Sequence, residues 1–280
     1  MCLAPITTRK DGSPLQVTYT CGHCFECYKK RAIEWSTRVG HELASYEDSC
    51  FITLTYDDLK KDSYKYSYED FQGFIKRLRM RLPKQRLRYF TSIEYGGQNG
   101  RLHFHTILFN FYPPESQRHQ IKKTATSPSG FQLYHSSFLE ELWPFGFHSF
   151  SAASVETGYY IASYALSDNT FVNDMGEILS DKLKCSQGIG LDFFLVNMET
   201  LIQQAIHYQR MLPRYYRKKL QASYPLQHKK MENLLVDLKK SPDSDDTYAR
   251  IVEFEKKNKK MLFRNEQHFE FDSYKTYYRK

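Results

Sequence analysis

An α+β domain on a mainly antiparallel sheet with flanking helices, followed by a helical carboxyl-terminal extension, is predicted by three features of the sequence. The hydrophobic period switches along the chain in the order helix, strand, helix, hairpin, helix, strand, helix. Two strand-like runs flank the turn-rich segment Gly96, Gly97, Gln98, Asn99, Gly100, which reads as an antiparallel hairpin. From Leu195 onward the pattern is helical and increasingly charged. Ferredoxin-like topology is the first arrangement this order suggests.

The elements follow in turn. Phe25 to about Tyr46 carries Ala32, Trp35, Val39 and Leu43 at helical spacing, with Lys29, Lys30 and Arg31 in its first half. Cys50 to Tyr56 is β-branched and aromatic, the composition of a buried strand. Ser67 and Asp70 have the spacing of a capping box, and Phe71, Phe74, Ile75, Leu78 and Leu82 then form an apolar stripe that stops at Pro83. The hairpin strands are Leu87 to Tyr95 and Arg101 to Asn110. After a loop with Pro113 and Pro114 come a short helix near Ser136 to Leu142, a strand around Phe147 to Val155 and a helix from about Thr157 to Leu166. Ser241 to Asp246 (SPDSDD) reads as a hinge before a polar tail. These features divide the chain into a Cys-rich amino-terminal segment with a basic helix (1–48), a central domain (49–216) and a charged, mostly helical tail (217–280).

Of the 280 residues, 40 are Lys or Arg and 32 are Asp or Glu, a formal charge of +8, and 22 are Tyr and 20 Phe. Basic residues interleaved with aromatics suit a phosphate backbone and unstacked bases, although charge alone fits an ordinary basic protein equally well. No apolar run approaches the roughly 18 residues of a membrane span, and the amino terminus lacks a signal peptide's apolar core, so a cytoplasmic protein is expected. In a reducing compartment, Cys21, Cys24 and Cys27 at two-residue gaps suggest metal before disulfide. They could supply three thiolates to Zn²⁺, with Cys2 as a candidate fourth ligand and His23 a less favoured one; free or redox-active thiols are the competing reading.

Two groups carry the candidate chemistry. His103 and His105 sit two apart in a predicted strand, so both emerge on one face, roughly 6.5 to 7 Å apart at Cα, where a divalent ion could bridge them. Glu94 is the third candidate ligand, and strand parity decides its fate. A loop of Gly97 to Gly100 pairs Glu94 with His103 on the same face, whereas a loop of Gly96 to Gly100 puts Glu94 opposite Leu102, pointing away unless a bulge restores the phase. The plainer reading is two histidines hydrogen-bonded within a half-buried sheet. Tyr160 and Tyr164, four apart in a predicted helix, share one face, and two phenols so placed could act in turn as nucleophiles on a metal-polarised phosphate. In a chain this rich in tyrosine, core packing explains such a pair equally simply.

Taken in order, Phe51-Ile52-Thr53-Leu54-Thr55-Tyr56, Glu94-Tyr95-Gly96 with His103-Phe104-His105, and Tyr160-Ile161-Ala162-Ser163-Tyr164 resemble the three ordered motifs of HUH replication initiators, and most nearly those of microviruses, the small single-stranded DNA phages. Cys21-Gly22-His23-Cys24-Phe25-Glu26-Cys27, Gly188-Ile189-Gly190 and Leu212-Pro213-Arg214-Tyr215-Tyr216 resemble the same proteins, so the likeness spans about residues 1 to 216. The family often has Lys or Arg between its two tyrosines, where this chain has Ser163.

The resemblance implies that His103, His105 and Glu94 hold Mg²⁺ or Mn²⁺, and that one tyrosine attacks a phosphate of a single-stranded DNA origin. It further implies a covalent 5′-phosphotyrosine, a free 3′-hydroxyl for a host polymerase working with a host helicase in a bacterial cell, and rejoining through the second tyrosine. A relaxase or transposase would share these motifs. A noncatalytic zinc-containing module that holds single strands, and a metal-dependent hydrolase using water, are the alternatives outside tyrosine chemistry.

Overall fold

The structure is a computed structural model that describes residues 2–9, 16–57, 67–95, 101–127, 130–166, 170–172, 178–180, 182–207 and 212–240; the side chains of 9, 16–17, 164–166, 170–172, 178–180, 206–207, 230 and 234–240 are not described. The expected SPDSDD hinge, the tail beyond it and the Gly96 to Gly100 turn lie outside the described residues.

In chain order the strands are β1 (Ile6–Arg9), β2 (Gln16–Tyr19), β3 (Ser49–Tyr56), β4 (Arg88–Tyr95), β5 (Leu102–Phe109), β6 (Ile121–Thr126), β7 (Gln132–Ser136), β8 (Gly146–Ala152), β9 (Thr170–Val172), β10 (Ile178–Ser180) and β11 (Lys182–Cys185). The helices are α1 (Phe25–Leu43), α2 (Tyr68–Arg81), α3 (Ser137–Leu142), α4 (Val155–Leu166), α5 (Leu191–Val196), α6 (Met198–His207), α7 (Arg214–Ser223) and α8 (Pro225–Lys240). Two units are distinguished, one of residues 1–124 and 133–196, the other of 125–132 and 197–280.

A seven-stranded antiparallel sheet in the order β11-β4-β5-β3-β8-β7-β6 forms the framework, so the expected α+β class is observed. Its four central strands, β4-β5-β3-β8, have the strand order of the ferredoxin-like topology, with α2 linking β3 to β4. The hairpins β1–β2, β6–β7 and β9–β10 and the short edge strand β11 were not anticipated from the sequence. β6 (IKKTAT) keeps both lysines in solvent, so it lacks the apolar run that announces a strand.

Alternation along β3 assigns the two faces. Cys50, Ile52, Leu54 and Tyr56 are buried, whereas Phe51, Thr53 and Thr55 are partly open. The even face packs on α2 and α3 through Phe71, Phe74, Leu78, Phe104, Phe138, Leu142 and Trp143. Tyr56 and Trp143 meet edge to face at 5.3 Å, and the Trp143 indole N–H donates to the Thr55 carbonyl at 3.2 Å, so the largest ring of this core buries no unmet polar atom. Tyr56 also changes the start of α2. Ser67 caps the helix by accepting from the Glu69 N–H, but the Asp70 carboxylate takes the Tyr56 hydroxyl at 2.7 Å, and the Ser67 N–H turns to that same hydroxyl. The reciprocal half of the expected capping box is thus replaced by a tertiary contact.

On the odd face, α1 and α4 cover Phe90, Ile107 and Phe51 with Ala32, Val39, Ile161 and Ala162. A methyl group on Gly158 would stand 2.6 Å from the Val39 side chain, so glycine sets the close crossing of α4 on α1. A buried polar stitch holds the same layer. Arg88 Nε lies 2.9 Å from Glu42 Oε1 as a charge contact rather than an aligned hydrogen bond, Arg88 donates to the Gln187 carbonyl at 2.8 Å, and the Gly190 N–H donates to Glu42 at 2.6 Å. Arg38 reaches the Ile189 carbonyl at 3.1 Å with its guanidinium over Trp35. The Gly188-Ile189-Gly190 turn is therefore tied to α1 and β4 by groups taken out of water in matched pairs.

The smaller unit has its own apolar contacts, with Ile202 of α6, Tyr216 and Leu220 of α7 and Met231 of α8 all buried. Among the described residues, no helix is long and apolar enough to cross a membrane.

Arg88→Met strands the Glu42 carboxylate in the interior and is expected to cost about 3 to 5 kcal/mol, read from the urea midpoint at unchanged slope. A loss under about 1 kcal/mol, the range of an exposed ion pair, would contradict a buried stitch at this position.

Candidate functional site

The β4–β5 register settles the parity question. Tyr95 pairs with Leu102 and Glu94 with His103, so Glu94, His103 and His105 share the odd face. The neighbouring strand continues the rows, Thr55 opposite His103 and Thr53 opposite His105.

Each imidazole is held from behind. Thr55 Oγ1 lies 3.0 Å from His103 Nδ1, and Thr53 Oγ1 lies 3.1 Å from His105 Nδ1. With the proton on Nδ1 and donated to threonine, the Nε2 lone pair of each ring is left for a ligand, the arrangement that orients metal-binding histidines. His105 Nε2 stands 3.3 Å from Glu94 Oε2, and the Ser92 hydroxyl donates to the other Glu94 oxygen at 3.0 Å. The two imidazoles stack at 6.2 Å between centroids. Two imidazole nitrogens and one carboxylate are a suitable donor set for a divalent ion with open positions. Thr53, Thr55 and Ser92 were not singled out from the sequence, although alternate hydroxyl residues in a strand beside His-x-His are the signal that could have found them.

Helix α4 brings Tyr160 onto this face. Its ring meets His105 edge-on at 5.6 Å and Phe51 edge-on at 6.1 Å, while Phe51 stacks parallel to His105 at 6.0 Å. Tyr164 stands one turn further along α4, and its side chain lies outside the described residues. Ser163, where the resemblance leads one to expect a cation, donates to the Tyr160 carbonyl at 2.8 Å and so serves the helix itself.

The amino-terminal cysteines form a second centre. Cys2, Cys21, Cys24 and Cys27 place their sulfur atoms within 4.8 Å of one another, the one group of His, Cys, Asp or Glu among the described residues to draw so close. Sulfur separations are 3.5 Å for Cys2–Cys21 and Cys24–Cys27 and 3.9 Å for Cys21–Cys27 and Cys2–Cys24. Four Zn–S bonds of about 2.3 Å in a tetrahedron require edges of about 3.8 Å, so the thiols fit a zinc ion, whereas disulfide bonding needs about 2 Å. His23 is not in the group. Backbone amides aim at the sulfurs, Leu3 N–H at Cys24, Cys21 N–H at Cys2 and Cys24 N–H at Cys21. The Leu3 amide, outweighing desolvation, brings the Cys24 thiol down to about 6, and the His23 and Cys24 amides lower that of Cys21. Despite the Gly22 amide, burial and its thiol neighbours push Cys27 up to about 11. The cluster ties the chain end to the first turn of α1, where the Cys24 carbonyl accepts from the Cys27 and Tyr28 amides.

Comparison with known proteins agrees with this geometry. Residues 49–169, from β3 to just past α4, match the family of phage-type replication-associated proteins described under ORF2. The replication-associated protein VP4 of Bdellovibrio phage phiMH2K is 32% identical over 163 residues, 56% of this chain and 50% of that protein. ORF4 of Chlamydia phage 1 is 28% identical over 181 residues (62% and 45%), and ORF2 of Spiroplasma virus 4 is 29% identical over 198 residues (66% and 59%); both are also named replication-associated proteins. The chain spans about half the length of the curated relatives it matches. No solved structure matches it. The microvirus resemblance read from the motifs is thus borne out: over its central region the chain is similar to the replication-associated proteins of phages.

Proposed function

We propose that this protein is a replication initiator that nicks and rejoins single-stranded DNA at an origin through a 5′-phosphotyrosine, starting rolling-circle replication inside a bacterial host. The observation that supports this most is the gathering of Glu94, His103 and His105 on one sheet face with the Tyr160 ring against His105. The likeness to phage replication-associated proteins supports the biological setting. The endonuclease region would extend over 49–216, and the DNA would pass from it to a host polymerase and helicase.

Glu94, His103 and His105 would hold Mg²⁺ or Mn²⁺, and the ion would supply charge to the non-bridging oxygens of the phosphate. Thr53 and Thr55 fix the imidazoles, and Ser92 fixes the carboxylate. The Tyr160 phenol loses its proton and its oxygen bonds to phosphorus. The bond from phosphorus to the 3′ oxygen breaks, and that oxygen leaves as a 3′-hydroxyl after taking up a proton. Because one phosphodiester is exchanged for another, the reverse attack by a 3′-hydroxyl reseals the strand without an outside energy source. Tyr164, one turn away, is the residue for the second exchange. At the amino terminus, Cys2, Cys21, Cys24 and Cys27 would hold a structural Zn²⁺.

A second reading is favoured by the closeness of those four thiols, which exceeds that of the His and Glu groups. The chain would then be a noncatalytic zinc-containing module that holds single-stranded DNA. An HUH relaxase or transposase is the alternative that shares the tyrosine chemistry.

With labelled single-stranded origin DNA and Mn²⁺, the protein is expected to give a denaturation-resistant adduct whose tryptic peptide carries the nucleotide on Tyr160 or Tyr164. Replacing both by Phe should abolish the adduct. Cleavage without an adduct would point to water as nucleophile, and binding without cleavage to the noncatalytic module.

For the cysteine centre, metal analysis should find about one zinc per chain. Cys24→Ser or a strong chelator should speed hydrogen exchange in the first turn of α1. A metal-free chain with unchanged exchange would rule zinc out of this centre.

A further inference from the structure

An aromatic ring stands in solvent on the same sheet face as the His and Glu cluster. Phe147 of β8 is 61% exposed, pairs with Thr55, and Thr55 pairs with His103. The three residues form one row across β8, β3 and β5, with Phe147 two strand spacings, about 9.5 Å, from His103. The next row on that face is Ser149, Thr53 and His105.

The setting distinguishes Phe147 from an ordinary surface apolar residue. Its neighbours on the odd face are the hydroxyl residues Ser149, Thr53 and Thr55, so it is a single ring among polar groups and not part of a broad apolar patch. Its backbone is firmly held. The Asp57 N–H donates to the Phe145 carbonyl at 2.9 Å, and a methyl on Gly146 would stand 2.4 Å from Thr55 O and Asp57 N, so β8 begins pressed against the end of β3. Trp143, one turn of chain earlier, is pinned to Thr55 through its indole N–H.

We propose that Phe147 is a base-stacking platform that receives a nucleobase of the single strand beside the phosphate held at Glu94, His103 and His105. This rests on the proposed nicking function. A solitary flat ring edged by hydroxyls is poorly suited to an apolar protein surface and well suited to a base, whose face stacks and whose edge and sugar stay hydrated. A ring fixed on a strand costs little ordering on binding, and stacking tolerates any base. The row therefore sets the strand's path across the sheet, phosphate at β5 and a neighbouring base at β8. Phe147 positions DNA and exchanges no bonds with it.

The test uses the full chain and an oligothymidylate carrying one 5-iodouracil. Irradiation should crosslink the DNA to the peptide containing Phe147. Phe147→Ala should weaken binding, measured by anisotropy, by about 5- to 100-fold, while Phe147→Trp binds within a few-fold of the parent, with thermal unfolding unchanged in both. Unchanged binding by a folded Phe147→Ala chain, or a crosslink located elsewhere, overturns the proposal. The two readings separate cleanly: a parent chain that forms the tyrosine adduct while Phe147→Ala binds normally refutes only the platform. A parent chain that crosslinks at Phe147 and never forms an adduct refutes only the nickase.

Discussion

Glu94 faces His103 across the β4–β5 ladder, and the site is built on that single choice of register. Side chains alternate with a period of two, so a slip of one residue would send Glu94 into the aromatic core and leave the imidazoles without their carboxylate. The odd face has room for polar groups because the even face carries the dense core, where Tyr56, Phe71, Phe74, Phe104 and Trp143 lie fully buried. Slippage would expose those rings as well. The hydrophobic effect that fixes one face thus fixes the chemistry of the other.

Helical cover finishes the arrangement. α4 crosses α1 at Gly158 against Val39, which lets Tyr160 descend to His105. α1 is anchored to β4 by Glu42 and Arg88, to the Gly188–Gly190 turn by Glu42 and Arg38, and at its beginning to the cysteine cluster. Buried ion pairs are weak sources of net stability but strong enforcers of position, since a misplaced partner leaves a charge without water. That constraint suits a helix whose neighbour must present a ring at a fixed place.

Much of this was legible in the sequence. The stripe Phe71, Phe74, Ile75, Leu78 and the alternation in Cys50 to Tyr56 are strong local signals, and the observed elements differ from expectation by a few residues at their ends. The cysteine spacing led to a group that the fold does bring together. Parity around Glu94 could only be stated as two branches, because it depends on how many residues the turn consumes. Other features depend on tertiary contacts without local pattern. Thr53 and Thr55 gain meaning from the strand beside them, Asp70 is drawn from its capping role by Tyr56, and β11 is a four-residue edge strand whose partner lies far back in the chain. Tyr160 was readable as a helix position, but its place against His105 follows from the packing of α4.

The most direct test is of the shared face itself. Mn²⁺ titrated into the protein labelled at histidine should broaden the His103 and His105 ring resonances together, ahead of the other imidazoles, and Glu94→Gln should shift that broadening to at least about tenfold higher metal concentration. Broadening of neither ring, or of both with no dependence on Glu94, would contradict a metal site assembled by the β4–β5 register.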